Sequence, residues 1–356
     1  MKKWPSTRIQ DLLGIELPII QAPMAGADSP ELAAEVSEAG GLGSLACPLL
    51  THDQIRESLT EIRKRTSKPF NLNFFSHRSP QSNPSHEKNW LAHLKKFHLE
   101  LGLDVDALPS GPTRAPFDEN FCALVEELRP KIVSFHFGLP DQALVQRLKK
   151  AGILILSSAT SVQEARWLED RGCDAIIAQG SEAGGHRGMF LNTDIATQVG
   201  TMALVPQIVD AVKVPVIAAG GIADSRGIAA SFALGASAVQ LGTAYLFCPE
   251  AHVSPLYREA LRNVRDDQTA LTNIFSGRAA RGIVNRFVNE VGPMSALAPE
   301  FPLASSAVAP LRKKSEAQGS TDFMQMWAGQ SAHLCREMPA GQLTRILAEE
   351  TLSRII

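Results

Sequence analysis

One histidine of this sequence lies in a setting that suits proton transfer. His186 lies in a glycine-rich stretch, with Gly184, Gly185 and Gly188 around it. Glycine lets a backbone approach a ligand closely, and an imidazole titrates near neutral pH. We therefore predict His186 as a catalytic base, with an exposed loop histidine as the alternative. His136 ends a strand-like run; a packed, hydrogen-bonded role and a substrate-binding or catalytic role are both open for it.

Amide side chains occur within apolar, strand-like runs, where burying an amide costs free energy unless it is hydrogen-bonded. The residues are Asn71, Asn73, Gln179 and Gln240. If they surround one opening, they suit a large, neutral ring system with hydrogen-bonding edges, such as the isoalloxazine of FMN. A sugar phosphate would satisfy the same argument.

Glycines also mark the ends of two later runs and could bind a phosphate. Gly220 and Gly221 follow one run, and Gly242 and Thr243 end the next. Backbone N–H groups at such turns can bind phosphate oxygens, and a role in easing the turn alone is the alternative. A GxGxxA pattern at 41–46 lacks the strand-then-helix context of a dinucleotide site, so we expect those glycines to belong to a strand.

The scaffold for these residues is predicted from eight short apolar runs. They cover 18–23, 41–46, 70–75, 132–137, 154–159, 175–180, 215–220 and 238–243. Runs of this kind are typical of parallel strands that are buried on both faces. Most follow one another at intervals of about 22 residues, as strand-helix units do. We predict a TIM (β/α)8 barrel, whose chemistry lies at the carboxyl ends of the strands, with an open doubly wound sheet as the alternative.

The domain organisation follows from where this pattern changes. We predict an FMN-binding barrel over 1–250, with a polar insertion after strand 3 at about 77–120, and a helical cap or substrate subdomain over 251–356. Helix-like patterns cover 255–264, 321–336 and 341–355, and the last of these helices could return to the barrel. The insertion's histidines have no spacing typical of metal ligands, so we expect surface positions and no metal site; they are His77, His86, His93 and His98.

Composition excludes several classes of protein. The net charge is −2, so no basic field is available for nucleic acid. The five cysteines are widely spaced, which favours a reduced, intracellular protein. The sequence shows no apolar run of membrane-spanning length and no signal-peptide pattern, and we expect a cytoplasmic protein without membrane contact.

Several motifs together resemble the nitronate monooxygenases, formerly called 2-nitropropane dioxygenases. The motifs are PIIQAPMAG (18–26), PFNLNFF (69–75), SFHFG (134–138), AQGSEAGGHRG (178–188), PVIAAGGI (215–222), AVQLGTAY (238–245) and DFMQMWAGQ (322–330). They extend over most of the chain. The EAGGH loop is shared with related enoyl and quinone reductases, so it indicates the superfamily better than the substrate.

The resemblance implies an FMN-dependent oxygenase that consumes no NAD(P)H. Such enzymes oxidise alkyl nitronates, for example propionate 3-nitronate, with O₂ to a carbonyl compound and nitrite. Nitronate and O₂ are then the expected small-molecule partners, and a homodimer stays open. The catalytic histidine of the family matches His186, and the implied flavin contacts are Met24, Asn73, Gln179, Gly184, Gly221, Gln240, Leu241, Gly242 and Thr243.

One stretch departs from the family pattern and leaves the substrate open. Some members carry tyrosines and a lysine where this chain has FPLASSAVA at 301–309. The first alternative function is therefore a related FMN-dependent NAD(P)H:quinone or enoyl-thioester reductase. A flavin-free barrel acting on a sugar phosphate and a non-catalytic FMN-binding protein are the others.

Overall fold

The computed structural model describes residues 3–81, 83–104 and 114–355. The strands of these residues, in chain order, are β1 (Ile19–Gln21), β2 (Gly43–Ala46), β3 (Phe70–Phe75), β4 (Ile132–His136), β5 (Leu154–Ala159), β6 (Ala175–Gln179), β7 (Gly185–His186), β8 (Val216–Ala219), β9 (Ala238–Leu241), β10 (Thr269–Thr272) and β11 (Ala280–Ile283).

Eight of these strands form a closed parallel barrel. Their hydrogen-bonded order is β1-β9-β8-β6-β5-β4-β3-β2. The gap between β1 and β2 is closed by backbone hydrogen bonds of 2.9 Å, from Gln21 N to Leu42 O and from Leu42 N to Ile19 O. The predicted TIM (β/α)8 barrel is therefore confirmed, and each of the eight apolar runs contains one of its strands.

Helices cover the outside of the barrel and the segments beyond it. They are α1 (Arg8–Leu13), α2 (Pro30–Glu38), α3 (His52–Arg65), α4 (Pro84–Glu100), α5 (Glu119–Leu128), α6 (Gln142–Lys150), α7 (Val162–Asp170), α8 (Thr201–Ala211), α9 (Ser225–Ala233), α10 (Thr243–Leu246), α11 (Pro255–Asn263), α12 (Arg286–Val291), α13 (Ser305–Ala317) and α14 (Ala340–Arg354). The last helix, α14, packs against α9 and α2 and buries Leu343 and Leu347 in the same core.

Burial on both faces explains the unbroken apolar runs. One hydrophobic cluster includes Ile20, Leu156, Ile177 and Ile217, which lie on barrel strands. A larger cluster joins the remaining strand residues to the surrounding helices. Because a strand alternates its side chains between two faces, residues on both faces must be apolar here. No helix of the described residues has the length and apolar content needed to cross a bilayer.

The segment after the barrel contains strands as well as helices. The antiparallel pair β10 and β11 extends to β7, with Ala280 opposite His186. The prediction of a helix over 321–336 is wrong. Backbone groups of this segment pair with β11 instead: Met326 O accepts from Ile283 N at 2.8 Å, and Trp327 forms a bridge with Gly282. The division at residue 250 stays a prediction.

The insertion after β3 carries helix α4, which begins after the N-cap Asn83 and packs on α13. Two of its histidines are not on the surface as expected. His98 is fully buried, with Nε2 2.9 Å from the carbonyl oxygen of Ala307, and His77 is buried against Phe301. Residues 105–113 of the predicted insertion lie outside the described residues.

Candidate active site

A cavity of about 490 Å³ opens at the carboxyl ends of the barrel strands, a size that suits a cofactor or substrate. Its wall contains most residues predicted from the sequence, namely Met24, Asn73, His136, Gln179, Gly184, His186, Gly221, Gln240, Gly242 and Thr243. Leu241 does not line the cavity, because its side chain is fully buried in the hydrophobic core. Neighbouring residues of a strand point to opposite faces, so Gln240 and Leu241 cannot both face the cavity.

His186 is fixed in the wall by a residue from the C-terminal part of the chain. Its Nε2 lies 2.9 Å from the hydroxyl of Ser276, whose Oγ also lies 3.4 Å from the carbonyl oxygen of Arg278. Since that carbonyl can only accept, we assign the hydroxyl as its donor and as the acceptor of Nε2–H. The Nδ1 lone pair of His186 has no hydrogen-bond partner among the described residues. It is therefore the atom that can accept a proton.

The surroundings of His186 keep its ring neutral. The ring lies 5.3 Å from the ring of Phe301 and 5.4 Å from that of Trp327, with Phe137 at 5.9 Å. Burial in this setting, and next the positive charge of Arg114, hold the pKa of His186 well below its ordinary range. At neutral pH the imidazole is consequently available as a base.

Two further polar residues hold the backbone of His186. The carbonyl oxygen of His186 accepts hydrogen bonds of 3.0 Å from His136 Nε2 and from Gln179 Nε2. His136 Nδ1 lies 3.0 Å from Ser158 Oγ, and burial lowers the pKa of His136 to about 4. Gln179 Oε1 accepts from Gly188 N at 2.7 Å. Both side chains therefore position the His186 loop, although they also face the cavity.

The same loop is tied down by a buried arginine. Arg187 has no exposed surface, and its guanidinium donates to the carbonyl oxygens of Gly180 at 2.6 Å and Gln179 at 2.7 Å. A third bond of 2.9 Å reaches Gln198 Oε1. Burial lowers the pKa of Arg187 to about 10, so the group stays charged at neutral pH. The loop is thus bound back onto the end of β6.

The other amides differ in what they offer to a ligand. Asn73 donates to Ser134 O and Oγ, and its Oδ1 has no partner among the described residues. The Gln240 amide likewise has no side-chain hydrogen bond within the described part of the chain. Asn71 does not reach the opening; its Nδ2 binds Ser134 Oγ at 2.8 Å and Ser44 Oγ at 3.1 Å. Asn71 precedes Asn73 by two residues, or about 7 Å along the strand, so Asn71 lies deeper inside the barrel.

The glycine turns face the same cavity. Gly220 and Gly221 have φ of 110° and 69°, which only glycine adopts easily, and the Gly221 carbonyl accepts from Ser331. Thr243 Oγ1 accepts from Gly329 N at 3.0 Å. At Gly242 the nearest atom to an added Cβ is 3.6 Å away, so the protein leaves room for a side chain there. This space also lets a bound group approach the backbone of Gly242 closely.

These features fit a flavin nucleotide. The free amide of Gln240 and the Oδ1 of Asn73 offer hydrogen bonds to a ring, and the turns at Gly221 and Gly242 offer backbone to a phosphate. Among the residues that the structure describes, no group of three or more histidine, cysteine or acidic side chains could hold a metal ion.

The tight packing of Gly184 gives a testable prediction. A Cβ at Gly184 would lie 2.5 Å from Gly329 N, whereas the neighbouring Gly185, at φ 74°, has nothing within 4 Å. We expect Gly184→Ala to destabilise the fold by about 1–3 kcal/mol and to weaken flavin retention, because backbone must move. Urea denaturation and flavin content per chain measure both effects.

Gly185→Ala is the matched control for this prediction. Its cost is limited to a left-handed alanine, about 1–2 kcal/mol, without displacement of the 328–329 backbone. Flavin retention that is lowered equally in the two variants would contradict a steric role for Gly184.

Sequence reasoning did not assign the partners of His186 that come from the second half of the chain, although Phe301 begins the stretch that departs from the family pattern. Ser276, Phe301 and Trp327 all contact His186. Trp327 lies within the DFMQMWAGQ motif, which was a usable signal. Ser276 and the cavity residue Arg114 have no pattern around them that would single them out.

Comparison with known proteins agrees with this geometry. The family model described as nitronate monooxygenase matches residues 6–350. A nitronate monooxygenase of Pseudomonas aeruginosa is 45% identical over 352 residues, covering 96% of this chain and 98% of the relative. The structure of a nitroalkane oxidase from Streptomyces ansochromogenes has a TM-score of 0.88 at 39% identity, covering 97% of this chain and 98% of that one.

A second solved structure is also similar. FabK from Thermotoga maritima has a TM-score of 0.74 at 31% identity, covering 98% of this chain and 96% of that one. The barrel and its cavity, taken with these likenesses, define the class as flavin-dependent oxidoreductases. Within that class, the chain belongs to the nitronate monooxygenase family.

Proposed function

We propose that this protein is an FMN-dependent nitronate monooxygenase. Its substrates are alkyl nitronates of the propionate 3-nitronate type, which it oxidises with O₂ to a carbonyl compound and nitrite. The observation that carries the proposal is the cavity at the strand ends, which brings together the glycine turns, the Gln240 amide and His186 with its aromatic neighbours.

FMN and the residues of the cavity wall have separate roles. When bound, FMN supplies the redox chemistry between nitronate and O₂. The residues that would hold it are Gly221, Gly242, Thr243 and Gln240, together with the other predicted contacts in the wall, Met24, Asn73 and Gly184. We assign Gln179 to positioning of the His186 loop, since both ends of its amide are engaged there.

His186 acts on the substrate. With its Nε2–H held by Ser276, its Nδ1 can remove the α-proton of a neutral nitroalkane. A nitronate is already deprotonated and does not need this step. Phe301, Phe137 and Trp327 exclude water from the reacting atoms, and His136 keeps the His186 backbone in place.

The test uses the purified protein with its flavin. Heat-released flavin is identified by chromatography against FMN and FAD standards, and O₂ uptake and nitrite are measured with propionate 3-nitronate. We expect FMN and stoichiometric nitrite. A colourless protein, or a flavoprotein that releases no nitrite from any nitronate, contradicts the proposal.

The second candidate is the related FMN-dependent NAD(P)H:quinone or enoyl-thioester reductase, which the EAGGH loop leaves open. Such an enzyme takes hydride from NAD(P)H, whereas the proposed reaction consumes none. Anaerobic addition of NADH or NADPH discriminates between them: rapid bleaching of the flavin favours the reductase, and an unchanged spectrum favours nitronate oxidation.

A further inference from the structure

One cation in the cavity wall has no carboxylate partner in the part of the chain that the structure describes. Arg114 lines the same cavity as His186, and its Nη1 donates to Ser305 Oγ at 3.3 Å. Its guanidinium carbon lies 5.7 Å from the centre of the Phe301 ring. No carboxylate pairs with Arg114 among the described residues. The other donors of its guanidinium fork are therefore available to a ligand.

The surroundings make this unpaired charge costly. Burial, and next the nearby charge of Arg312, lower the pKa of Arg114. An arginine nevertheless stays protonated at neutral pH. A desolvated guanidinium without a partner is unfavourable, and an anion that enters the cavity removes that cost. The arrangement therefore favours an anionic group of the ligand.

Arg114 and His186 both lie close to the ring of Phe301. The His186 ring is 5.3 Å from Phe301, the residue over which Arg114 lies. The charge of Arg114 also contributes to the low pKa of His186. Both groups line the same cavity, so a substrate bound there faces both of them.

Neighbouring arginines are engaged elsewhere or more exposed. Arg278 stacks 3.9 Å from the Phe137 ring and donates to the carbonyl oxygen of Met189. Arg312 also lines the cavity, but its side chain is exposed on α13, whereas that of Arg114 is partly buried. The stretch 301–309 carries no cationic residue of its own. Arg114 is thus the best-placed cation for a group bound beside Phe301.

We propose that Arg114 is a specificity-determining residue that binds the remote carboxylate of the nitronate substrate. This inference rests on the proposed function. A guanidinium presents paired N–H donors that match a carboxylate, and Ser305 holds one edge of the fork. The nitronate end of the molecule then lies toward His186.

The experiment compares two substrates in wild type and Arg114→Gln holoenzyme. Propionate 3-nitronate carries the carboxylate, and propyl-1-nitronate has a methyl group in its place. We expect the ratio of kcat/KM for the first over the second to fall about 10- to 100-fold, because a charge-assisted hydrogen bond is lost. Arg114→Lys restores part of the ratio, since it keeps the charge without the fork.

A binding measurement accompanies the kinetics. Succinate has a planar carboxylate where propionate 3-nitronate has its nitronate group, and its affinity is measured by calorimetry. We expect Arg114→Gln to weaken succinate binding about as much as it lowers the kinetic ratio. Lys313→Gln removes one exposed charge of α13 outside the cavity wall and serves as the control, with the ratio unchanged.

The outcomes separate the two proposals. Equal losses of kcat/KM with both nitronates, together with unchanged succinate affinity, overturn the role of Arg114. If Arg114→Gln does not fold, Ser305→Ala replaces it, with an expected fall in the ratio of about 2- to 5-fold. If the wild type oxidises no nitronate, the proposed function fails, and the succinate measurement still tests the anion site.

Discussion

His186→Asn is expected to lower kcat/KM for neutral nitroalkanes by about 10²- to 10⁴-fold, the range typical of a lost general base. Asparagine keeps a polar side chain in the wall but cannot accept a proton at neutral pH. Nitronates need no deprotonation, so their turnover falls by a smaller factor. O₂ uptake with nitroethane and with its preformed nitronate measures the two values.

Ser276→Ala is the companion variant, because it removes the partner of Nε2 and leaves the imidazole in place. We expect about a 10-fold loss with nitroethane, through a less well oriented ring. Equal losses with nitroethane and its nitronate in His186→Asn would contradict the role as a base. They would indicate instead that His186 binds both substrates.

The pH dependence gives a separate prediction for the same residue. The base is active above its pKa, and burial holds the pKa of His186 well below 6.5. The acid limb of kcat/KM for neutral nitroalkanes is therefore expected below pH 6.5, with no loss between pH 6.5 and 7.5 from this group. A limb centred at or above pH 6.5 would contradict the buried, neutral imidazole.

The barrel could be predicted because its strands are buried on both faces. Each apolar run at a spacing of about 22 residues corresponds to a strand, and β3 and β5 have the predicted bounds. Strand ends were less accurate, since the runs at 18–23 and 215–220 continue into turns. Apolar composition does not show where the ladder of hydrogen bonds stops.

The site could be predicted only where one local segment carries the signal. His186 and the glycine turns lie in such segments. Ser276, by contrast, reaches His186 through the pairing of β7 with β11, which joins segments about 95 residues apart in sequence. A short strand pair of this kind has no periodicity. Asn71 was placed at the opening because alternation gives the face of a strand but not the depth along it.

Arg187 is another residue whose role could not be predicted from its local sequence, and its substitution is expected to have the second large effect. From sequence it is an arginine in a polar loop, yet it is fully buried and makes three hydrogen bonds. We expect Arg187→Met to lower the free energy of unfolding by about 3–5 kcal/mol, which is the lower part of the range for three buried acceptors left without a donor at about 1–3 kcal/mol each. Urea denaturation followed by circular dichroism measures the loss.

The same substitution is expected to lower kcat as well, because the bonds of Arg187 bind the His186 loop to the end of β6. Arg187→Lys, which can reach fewer of the three acceptors, has an intermediate effect on both quantities. Arg166→Met is the matched control: Arg166 is exposed on α7, and its loss changes stability by no more than about 0.5 kcal/mol. If Arg187→Met and Arg166→Met were equally stable, the loop would be held by its backbone alone. The guanidinium of Arg187 would then have no part in placing His186.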